Sequence, residues 1–433
     1  MDMDKKIDLN DLFLGTNSKV NVVEGKKIRA INFDNAATAP LLKSVVESVI
    51  GLSDYYGSIG RGVGHKAEIT TRLYYESKNY IMDFFNIKDK DKYTVIYVNN
   101  TTDGINRLSR TFCKKKDNIV LLTRMEHHSN DLPWRRRWNV DYIEVDEQGR
   151  LKFDDIENKL ISHKGKVRYI TVTGASNVTG YINDIHGIAR IAHKYGAKIV
   201  VDGAQLIPHA KVDIMGKSDE ERIDFLIFSG HKVYAPLGCG VIIGLREDFN
   251  KSLPDNEGGG TVKFVMDNNV EYLDTPEKDE AGTPNFFGAI AISTALSELN
   301  KIGFENIRKN EIKLRDRMFD GLKSIPEVIN YGDIENREDR LGIGVFNIKS
   351  IYHEDVAETL AKYYGISVRQ GWFCAHPYCR RLMHISEKSA SAFIHDDNER
   401  MPGMVRISFG IYNEENEIDY FLECIERIIK KSK

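Results

Sequence analysis

The sequence is poor in cysteine, and its few cysteines show no structural pattern. Its 433 residues contain five cysteines, an odd number at wide spacing. A disulfide framework is therefore not expected, and no pair has the spacing of a zinc finger, so we predict no metal site. Cys374 and Cys379 lie five residues apart, which fits neither a C-x-x-C redox pair nor a usual metal clip. Cys113, Cys239 and Cys424 stand among apolar neighbours, which favours packing in a core.

The chain also lacks long apolar runs and an excess of one charge. No apolar stretch approaches the length of a membrane span, so we expect no membrane partner. Lys and Arg number 61 against 64 Asp and Glu, a formal net charge of −3, which gives no electrostatic reason to expect nucleic acid. The first residues are acidic and lack the apolar core of a secretory signal, which predicts a cytoplasmic protein.

Length and periodicity predict two α/β domains that follow a short arm. The chain is too long for one small core. Residues 1–28 are polar with little pattern and are interpreted as an N-terminal arm. In residues 29–285, Val/Ile-rich strands alternate with helices, which predicts a large domain with a mainly parallel, seven-stranded-type sheet covered on both faces. Residues 286–433 predict a linking helix and a smaller C-terminal α/β domain, in which the polar segment 386–402 forms a surface loop.

Hydrophobic periodicity predicts the individual strands and helices, and Gly and Pro residues indicate the turns between them. Residues 246–284 are Gly-rich and acidic and are expected to be irregular. The predicted strands are 94–98, 118–122, 168–172, 198–201, 225–228, 240–244, 342–347, 367–369 and 404–409. The predicted helices are 66–86, 103–113, 130–138, 185–195, 286–325, 356–364 and 415–430.

Polar residues follow several predicted strands at the same end of the sheet. Asp202 ends one Val/Ile strand, and Ser229, His231 and Lys232 follow the next. In such sheets, ligands bind outside the carboxyl ends of the strands. An acid and a lysine at these places are what a pyridoxal phosphate (PLP) enzyme needs. Lys232 would form the Schiff base, and Asp202 would pair with the pyridinium nitrogen, so that the ring acts as an electron sink.

Other strand ends suit the same cofactor, although each also has a plainer interpretation. Thr101 and Thr102 begin a helix and are either an ordinary N-cap or a phosphate site. His127 is either a surface histidine or a residue that stacks on the ring and shuttles protons. Gln205 either caps the next helix or donates to the phenolic oxygen of the cofactor, and Asn177 closes another strand end. Their coincidence at one sheet edge favours the cofactor.

Two residues of the C-terminal half are candidates for substrate chemistry. Cys374 lies between aromatic residues, where a thiol is usually buried and inert. The loop signals around it and the nearby Arg369 and His376 would instead favour a thiolate, so an inert and a nucleophilic role both stay open. Arg406 lies in a short apolar strand and requires a carboxylate partner, either an acidic side chain or the substrate.

These residues resemble the motifs of fold-type I PLP enzymes of the class V aminotransferase group. The resemblance is specifically to the group II (SUF-type) cysteine desulfurases and selenocysteine lyases, and it covers roughly residues 30–430. The similar segments are Asp34–Thr38, Arg61-Gly62, Thr101–Asn106, Met125–Asn130, Ser176–Val178, Asp202–Gln205, Ser229–Lys232, Gly258–Thr261 and Glu280–Asn285.

The resemblance implies a substrate, a reaction and partners. It implies that L-cysteine is converted to L-alanine while Cys374 forms a persulfide, and that a sulfur-acceptor protein then collects the sulfur. Arg406 falls on the arginine that binds the substrate carboxylate, with Asn35 and Arg369 on the substrate side. Thr261 falls in the segment that reaches the phosphate of the neighbouring subunit in a homodimer.

Departures from the family pattern surround the thiol and the substrate entrance. Gly60 and Asn100 replace typical residues beside two motifs, and Trp372-Phe373 precede Cys374 where many members have His-His. The segment from Cys374 to Arg406 is also longer than is typical. Two alternatives therefore stay open. One is a related class V C–S or C–Se lyase, aminotransferase or epimerase acting on another amino acid, and the other is a catalytically silent homologue that acts as a binding partner.

Overall fold

The fold consists of a large sheet, a small sheet and the helices that cover them. The structure is a computed structural model that describes residues 9–23, 25–60, 62–113, 117–395 and 400–433. Arg61, which belongs to one of the motifs quoted above, lies outside the described residues. Within them, no helix is both long enough and apolar enough to cross a membrane.

The strands are short and lie mostly in the two sheets. They are β1 (Lys19–Asn21), β2 (Lys27–Arg29), β3 (Ile31–Asn32), β4 (Tyr93–Val98), β5 (Ile119–Thr123), β6 (Asn139–Ile143), β7 (Val167–Thr173), β8 (Lys198–Asp202), β9 (Phe225–Ser229), β10 (Gly240–Leu245), β11 (Val262–Met266), β12 (Asn269–Tyr272), β13 (Val328–Asn330), β14 (Ile343–Ile348), β15 (Ile366–Ser367), β16 (Arg369–Gly371) and β17 (Met404–Ser408).

The helices alternate with the strands over most of the chain. They are α1 (Lys43–Ser53), α2 (His65–Phe84), α3 (Thr101–Thr111), α4 (His128–Arg135), α5 (Phe153–Ser162), α6 (Ile185–Lys194), α7 (Arg246–Asn250), α8 (Phe286–Ile302), α9 (Phe304–Ser324), α10 (His353–Tyr364), α11 (His376–Leu382), α12 (Glu387–His395) and α13 (Glu415–Ser432). Short 3-10 turns occupy Leu9–Leu12, Asp219–Glu221, Gly230–Lys232 and Glu277–Asp279.

The large sheet has seven strands in the order β4-β10-β9-β8-β7-β5-β6. The strands β6, β5, β7, β8 and β9 run parallel, and β10 is antiparallel to both of its neighbours. All residues of β4, β9 and β10 are buried, as expected for strands that helices cover on both faces. The predicted mainly parallel α/β fold with a second, smaller α/β part is confirmed.

The two faces of the large sheet have separate hydrophobic cores. Side chains alternate along a strand, so Val95 and Tyr97 of β4 join one core, and Ile96 and Val98 join the other. The first core also includes α2 and α8, and the second includes α3 and α4. This arrangement leaves the carboxyl ends of β5, β7, β8 and β9 together at one edge.

The small sheet is antiparallel in the order β13-β14-β17-β16. It packs on α9, α10 and α13 in a core of its own. The N-terminal strand β3 pairs in parallel with β15, so Ile31 and Phe33 also belong to the core of the small sheet. In the predicted arm, β1 and β2 form a hairpin, and Phe13 is buried in the core of the large sheet. The predicted domain limits at 28 and 285 stay predictions.

Four predicted segments differ from the structure. The single helix expected over 286–325 is two helices, because Gly303 has φ 85° and ψ 124°, which end α8 and begin α9. The loop expected at 386–402 contains α12, a helix of only nine residues in a segment too polar for a clear apolar stripe. The irregular region 246–284 contains α7 and the hairpin β11–β12, and the expected strand 367–369 is split between β15 and β16.

Candidate active site

A cavity of about 430 Å³ lies at the carboxyl ends of the parallel strands. Its size is typical of a small-molecule or cofactor site. Most of the predicted site residues line it, although they are far apart in the sequence. They are Thr101, Thr102, His127, Asn177, Asp202, Gln205, Ser229, His231, Lys232, Arg369, Cys374 and Arg406. The predicted Asn35 and Thr261 do not line this cavity.

Lys232 and Asp202 lie at the ends of neighbouring strands and have shifted pKa values. Burial lowers the pKa of Lys232 to about 8, although the negative charge of Asp202 acts in the opposite direction. Burial also raises the pKa of Asp202, whose Oδ1 accepts a hydrogen bond from the backbone N–H of Ala204 at 2.9 Å. An amine that loses its proton easily beside a buried carboxylate is typical of an active site.

The start of α3 provides hydroxyl groups at one end of the cavity. The N-cap of this helix is Asn100, whose side chain accepts from the N–H of Asp103 at 3.0 Å. The plainer interpretation of Thr101 and Thr102 as caps therefore does not apply. Thr101 contacts Ser229 through their hydroxyl oxygens, 2.7 Å apart. Hydroxyl groups at a helix N-terminus in a cavity suit a phosphate.

His127 presents a neutral imidazole to the cavity. Its Nδ1 accepts from the backbone N–H of Ser129 at 3.1 Å, so the proton of the neutral ring is on Nε2. Burial, and then the charge of Lys232, lowers the pKa of His127 to about 3. The ring is therefore uncharged at neutral pH and can donate one hydrogen bond from Nε2.

Glu126 fixes the turn that carries His127, and the sequence analysis gave it no role. Its carboxyl accepts from the hydroxyl of Thr123 at 2.5 Å, from the N–H of Thr173 at 3.0 Å and from the amide of Asn130 at 2.6 Å. These bonds join the end of β5, the end of β7 and α4. Burial raises the pKa of Glu126 to about 8. The signal available in the sequence was its place between Met125 and His127 in the quoted motif.

Gln205 and His231 complete the inner wall of the cavity. The Gln205 amide donates to the carbonyl of Ala36 at 2.7 Å, which holds the segment after β3 against the large sheet. His231 lies 3.3 Å from the hydroxyl of Thr38 through Nδ1. Burial, and then the charge of Lys232, lowers the pKa of His231 to about 4.

Asn35 and Thr261 lie outside the cavity because their polar groups contact neighbouring backbone. The Asn35 amide donates to the carbonyls of Asn32 and Ser408, at 2.9 and 3.1 Å. The hydroxyl of Thr261 donates to the carbonyl of Gly258 at 2.7 Å, and its side chain is buried. Asn35 therefore joins β3 to β17, and Thr261 closes its own glycine-rich turn.

Arg406 places a buried guanidinium group at the cavity wall. It is 3% exposed, and its NH2 donates to Asp34 at 2.9 Å, which supplies the carboxylate partner that the sequence required. NH1 donates to the carbonyl of Asn177 at 3.0 Å, and the buried Nε has no partner in the part of the chain that the structure describes. Arg369 reaches the other oxygen of Asp34 at 3.6 Å. Two arginines thus face one carboxylate.

Cys374 is the exposed thiol of the cavity, and its neighbours are buried. Phe373 and Ala375 are in the core, whereas Cys374 is exposed and lines the cavity. The inert interpretation therefore fits Cys379 instead, which is fully buried and whose pKa is raised by burial. Cys239 and Cys424 are also buried, as expected.

One known protein family matches most of this chain. The family model "Aminotransferase class-V" matches residues 31–421, which includes both sheets and every residue that lines the cavity. The chain belongs to the class V aminotransferase family. The predicted family resemblance is thereby confirmed.

Class V relatives that match nearly the whole chain are named as desulfurases. The chain is 33% identical to a probable cysteine desulfurase of Pyrococcus abyssi, over 92% of this chain and 94% of that protein. It is 33% identical to a cysteine desulfurase of Wigglesworthia glossinidia brevipalpis, over 92% and 93%. A solved apo structure of a cysteine desulfurase from Thermococcus onnurineus has a TM-score of 0.82, at 31% identity over 93% of this chain and 95% of that chain.

Proposed function

We propose that this class V protein is a PLP-dependent cysteine desulfurase that converts L-cysteine to L-alanine and forms a persulfide on Cys374. The observation that carries the proposal is the exposed thiol of Cys374 in the same cavity as Lys232 and Arg406. A lysine, a carboxylate-binding arginine and a thiol are the groups that this reaction requires. The names of the relatives, which cover nearly the whole chain, support the same reaction.

The residues of the cavity fit PLP. Lys232 would anchor the cofactor, and the buried carboxylate of Asp202, whose pKa is raised by burial, would be stabilised by a protonated pyridine nitrogen. The hydroxyl groups of Thr101, Thr102 and Ser229 would hold the phosphate at the start of α3. When bound, PLP supplies an electron sink for the electrons released at the substrate Cα.

The arginines would hold the substrate carboxylate. The Nε–H of Arg406 is buried and has no partner among the described residues, and a substrate carboxylate oxygen would give it one if the side chain turned towards the cavity. Arg369 is mostly exposed, and its contact with Asp34 is long, at 3.6 Å. Its guanidinium group can therefore turn towards the second oxygen of the substrate carboxylate. Two arginine charges at this wall favour an α-carboxylate over a neutral group.

Lys232 and His127 would handle the protons. A lysine with a pKa near 8 is partly neutral at physiological pH, so its amine can take the proton from Cα and return it. His127 carries its ring proton on Nε2, which is the nitrogen that Ser129 leaves free. Its neutral ring adds no positive charge next to Lys232.

Cys374 would take the sulfur directly from the substrate. Its thiolate attacks the substrate sulfur, so an S–S bond forms while the C–S bond of cysteine breaks. The electron pair of the C–S bond stays with the carbon fragment, which takes up protons to become alanine. The persulfide on an exposed residue is then accessible to a sulfur-acceptor protein.

The oligomer and the compartment belong to the same proposal. The hairpin β11–β12 exposes Phe264, Val265 and Met266 beside the Gly258–Thr261 turn, which supports a homodimer in which this turn reaches the site of the neighbouring subunit. All five cysteines are free, which supports a reducing, cytoplasmic environment that keeps Cys374 as a thiol.

Replacement of Cys374 by alanine tests the proposal. We expect alanine formation from L-cysteine to fall by about 100-fold or more, because the nucleophile is lost, while the visible absorption of bound PLP stays unchanged. The matched control is Cys379→Ala, a change at the buried cysteine that should retain most of the activity. Product analysis tests the alternative functions. Pyruvate and ammonia in place of alanine would indicate a lyase. A preparation without the PLP absorption band would show a silent homologue.

A further inference from the structure

The loop that carries Cys374 has an unfavourable backbone conformation. Phe373 has φ 50° and Cys374 has φ 53°, so two consecutive residues with side chains adopt the left-handed region. This region is costly for any residue except glycine, and such conformations persist only where surrounding contacts impose them. The conformation is what buries Phe373 and Ala375 while exposing Cys374 to the cavity.

Contacts from the large domain hold this loop at its backbone. The side-chain amide of Asn177 donates to the carbonyl of Phe373 at 2.8 Å, and the backbone N–H of His128 donates to the carbonyl of Cys374 at 2.7 Å. Within the loop itself, the N–H of Ala375 donates to the carbonyl of Trp372 at 2.9 Å. The carbonyls of Phe373 and Cys374 are therefore both held by residues outside the loop.

The side chain of His128 adds a contact two residues after Cys374. Its Nε2 accepts a hydrogen bond from the backbone N–H of His376 at 3.3 Å. Since a backbone N–H can only donate, Nε2 is the acceptor, and the proton of the neutral ring is on Nδ1. The rings of His128 and His376 pack edge to face with centroids 4.6 Å apart. His128 thus contacts the residues at positions 374 and 376, so the backbone that follows the Cα atom of Cys374 is held at two points.

We propose that the imidazole of His128 is a positioning residue, which keeps Cys374 in its left-handed conformation and its thiol directed at the substrate sulfur. This inference rests on the proposed function, because it concerns the thiol that would take the sulfur. His128 does not line the cavity, so it acts through Cys374 and not on the substrate. Its neighbour His127 lines the cavity with the opposite tautomer, so adjacent histidines would serve the cofactor and the thiol separately.

Two variants separate the acceptor from the bulk of the side chain. His128→Leu keeps much of the volume but has no acceptor for the N–H of His376. His128→Gln keeps an acceptor oxygen at a similar distance from the backbone. Both retain the N–H that donates to Cys374. In the holoenzyme we measure persulfide formation on Cys374 by mass spectrometry, together with kcat and KM for L-cysteine, the PLP absorption, and hydrogen exchange of the peptide that contains residues 374–382.

We expect His128→Leu to lower kcat and the rate of persulfide formation by about 10-fold or more, with KM and PLP absorption near wild type, because a small displacement of a reacting group is costly. Hydrogen exchange of the 374–382 peptide should become about 5-fold faster. His128→Gln should stay within about 3-fold of wild type in every measurement. Wild-type values for His128→Leu, or losses in His128→Gln as large as those in His128→Leu, would overturn the inference.

The measurements distinguish this inference from the proposed function. If no form of the protein produces alanine, the proposed function fails, and hydrogen exchange still decides whether His128 holds the loop. If His128→Leu does not fold, the tautomer decides. In 15N-histidine spectra of the wild type, the signal that disappears in His128→Gln should be that of a neutral ring with its proton on Nδ1. A proton on Nε2 would contradict the geometry.

Discussion

Burial changes the pKa values of the residues that line the cavity. Burial lowers the pKa of Lys232 to about 8 and raises the pKa of Asp202, two residues that lie at the ends of neighbouring strands. The protein has 61 Lys and Arg residues, so a lysine alone carries little information. The Ser-Gly-His-Lys turn after a buried strand is what identified Lys232, because the strand places its side chain in the cavity.

The depressed pKa of His127 predicts a dependence of stability on pH. The pKa is about 3 in the folded protein and about 6.5 in an unfolded chain. Between these values the unfolded state binds the proton and the folded state does not, so stability is lost as the pH falls from about 6.5 towards 3. At pH 5 the contribution of His127 to this loss should be about 1–2 kcal/mol.

The measurement compares the unfolding free energy of the PLP-free protein at pH 7.5 and pH 5 in urea. The variant His127→Gln cannot take up a proton, so the difference between the two pH values should be smaller than in wild type by the same amount. His65→Gln, a change at an exposed histidine, is the matched control and should leave the difference as in wild type. An equal difference in wild type and His127→Gln would show that His127 is not held neutral.

At the scale of elements, the sequence predicted buried strands and long amphipathic helices well and short elements poorly. The strands ending at Asp202 and Ser229 contain the apolar runs Ile199–Val201 and Phe225–Phe228, which polar residues and a turn follow, so both position and direction could be inferred. The helix α12 and the hairpin β11–β12 have short sequences that mix polar and apolar residues, in which periodicity gives no signal. The roles of Glu126 and Asp34 depend on partners in distant segments, and local patterns cannot show such partners.

The break between α8 and α9 depends on one glycine. The sequence on both sides has a helical pattern, and Gly303, with φ 85° and ψ 124°, turns the chain from the core of the large sheet to that of the small sheet. A residue with a Cβ atom is strained in this region. We expect Gly303→Ala to lower the unfolding free energy by about 1–2 kcal/mol in urea denaturation.

Gly51→Ala is the matched control for this change. Gly51 lies within the helix α1, is exposed, and an added Cβ would meet no atom within 4 Å. Alanine has a higher helix propensity, so Gly51→Ala should stabilise the protein by about 0.5–1 kcal/mol. If Gly303→Ala stabilised the protein as Gly51→Ala should, the backbone conformation of Gly303 would not be what separates the two helices.

At the scale of the whole molecule, the cavity forms where the two sheets meet. Asp202 and Lys232 come from the large sheet, whereas Arg406 and Cys374 come from β17 and the loop after β16. Asp34 follows β3, which pairs with β15, and binds Arg406 on the small-sheet side of the junction. Any shift of the small sheet would therefore move the thiol and the carboxylate-binding arginine together, relative to the lysine.

The same scale includes the surface that the chain does not bury by itself. Phe264 is 61% exposed and Val265 57%, and both lie on β11 directly after the turn that ends at Thr261. Exposed apolar side chains of this size are what a protein–protein interface would bury. The proposed homodimer would bury them and bring the Gly258–Thr261 turn to the neighbouring site, which would explain why Thr261 is remote from the cavity of its own chain.

Phe264→Asp tests this interface. A buried aspartate without a partner is costly, so we expect the variant to shift from a dimer to a monomer at micromolar concentration in light scattering coupled to size-exclusion chromatography. Its affinity for PLP should fall as well, because the neighbouring turn is lost. The control is Lys263→Gln, next to Phe264 on the same strand and already exposed, which should remain a dimer. A wild-type monomer that retains PLP would show that each chain completes its site alone, and a Phe264→Asp variant that stays dimeric would show that the interface lies elsewhere.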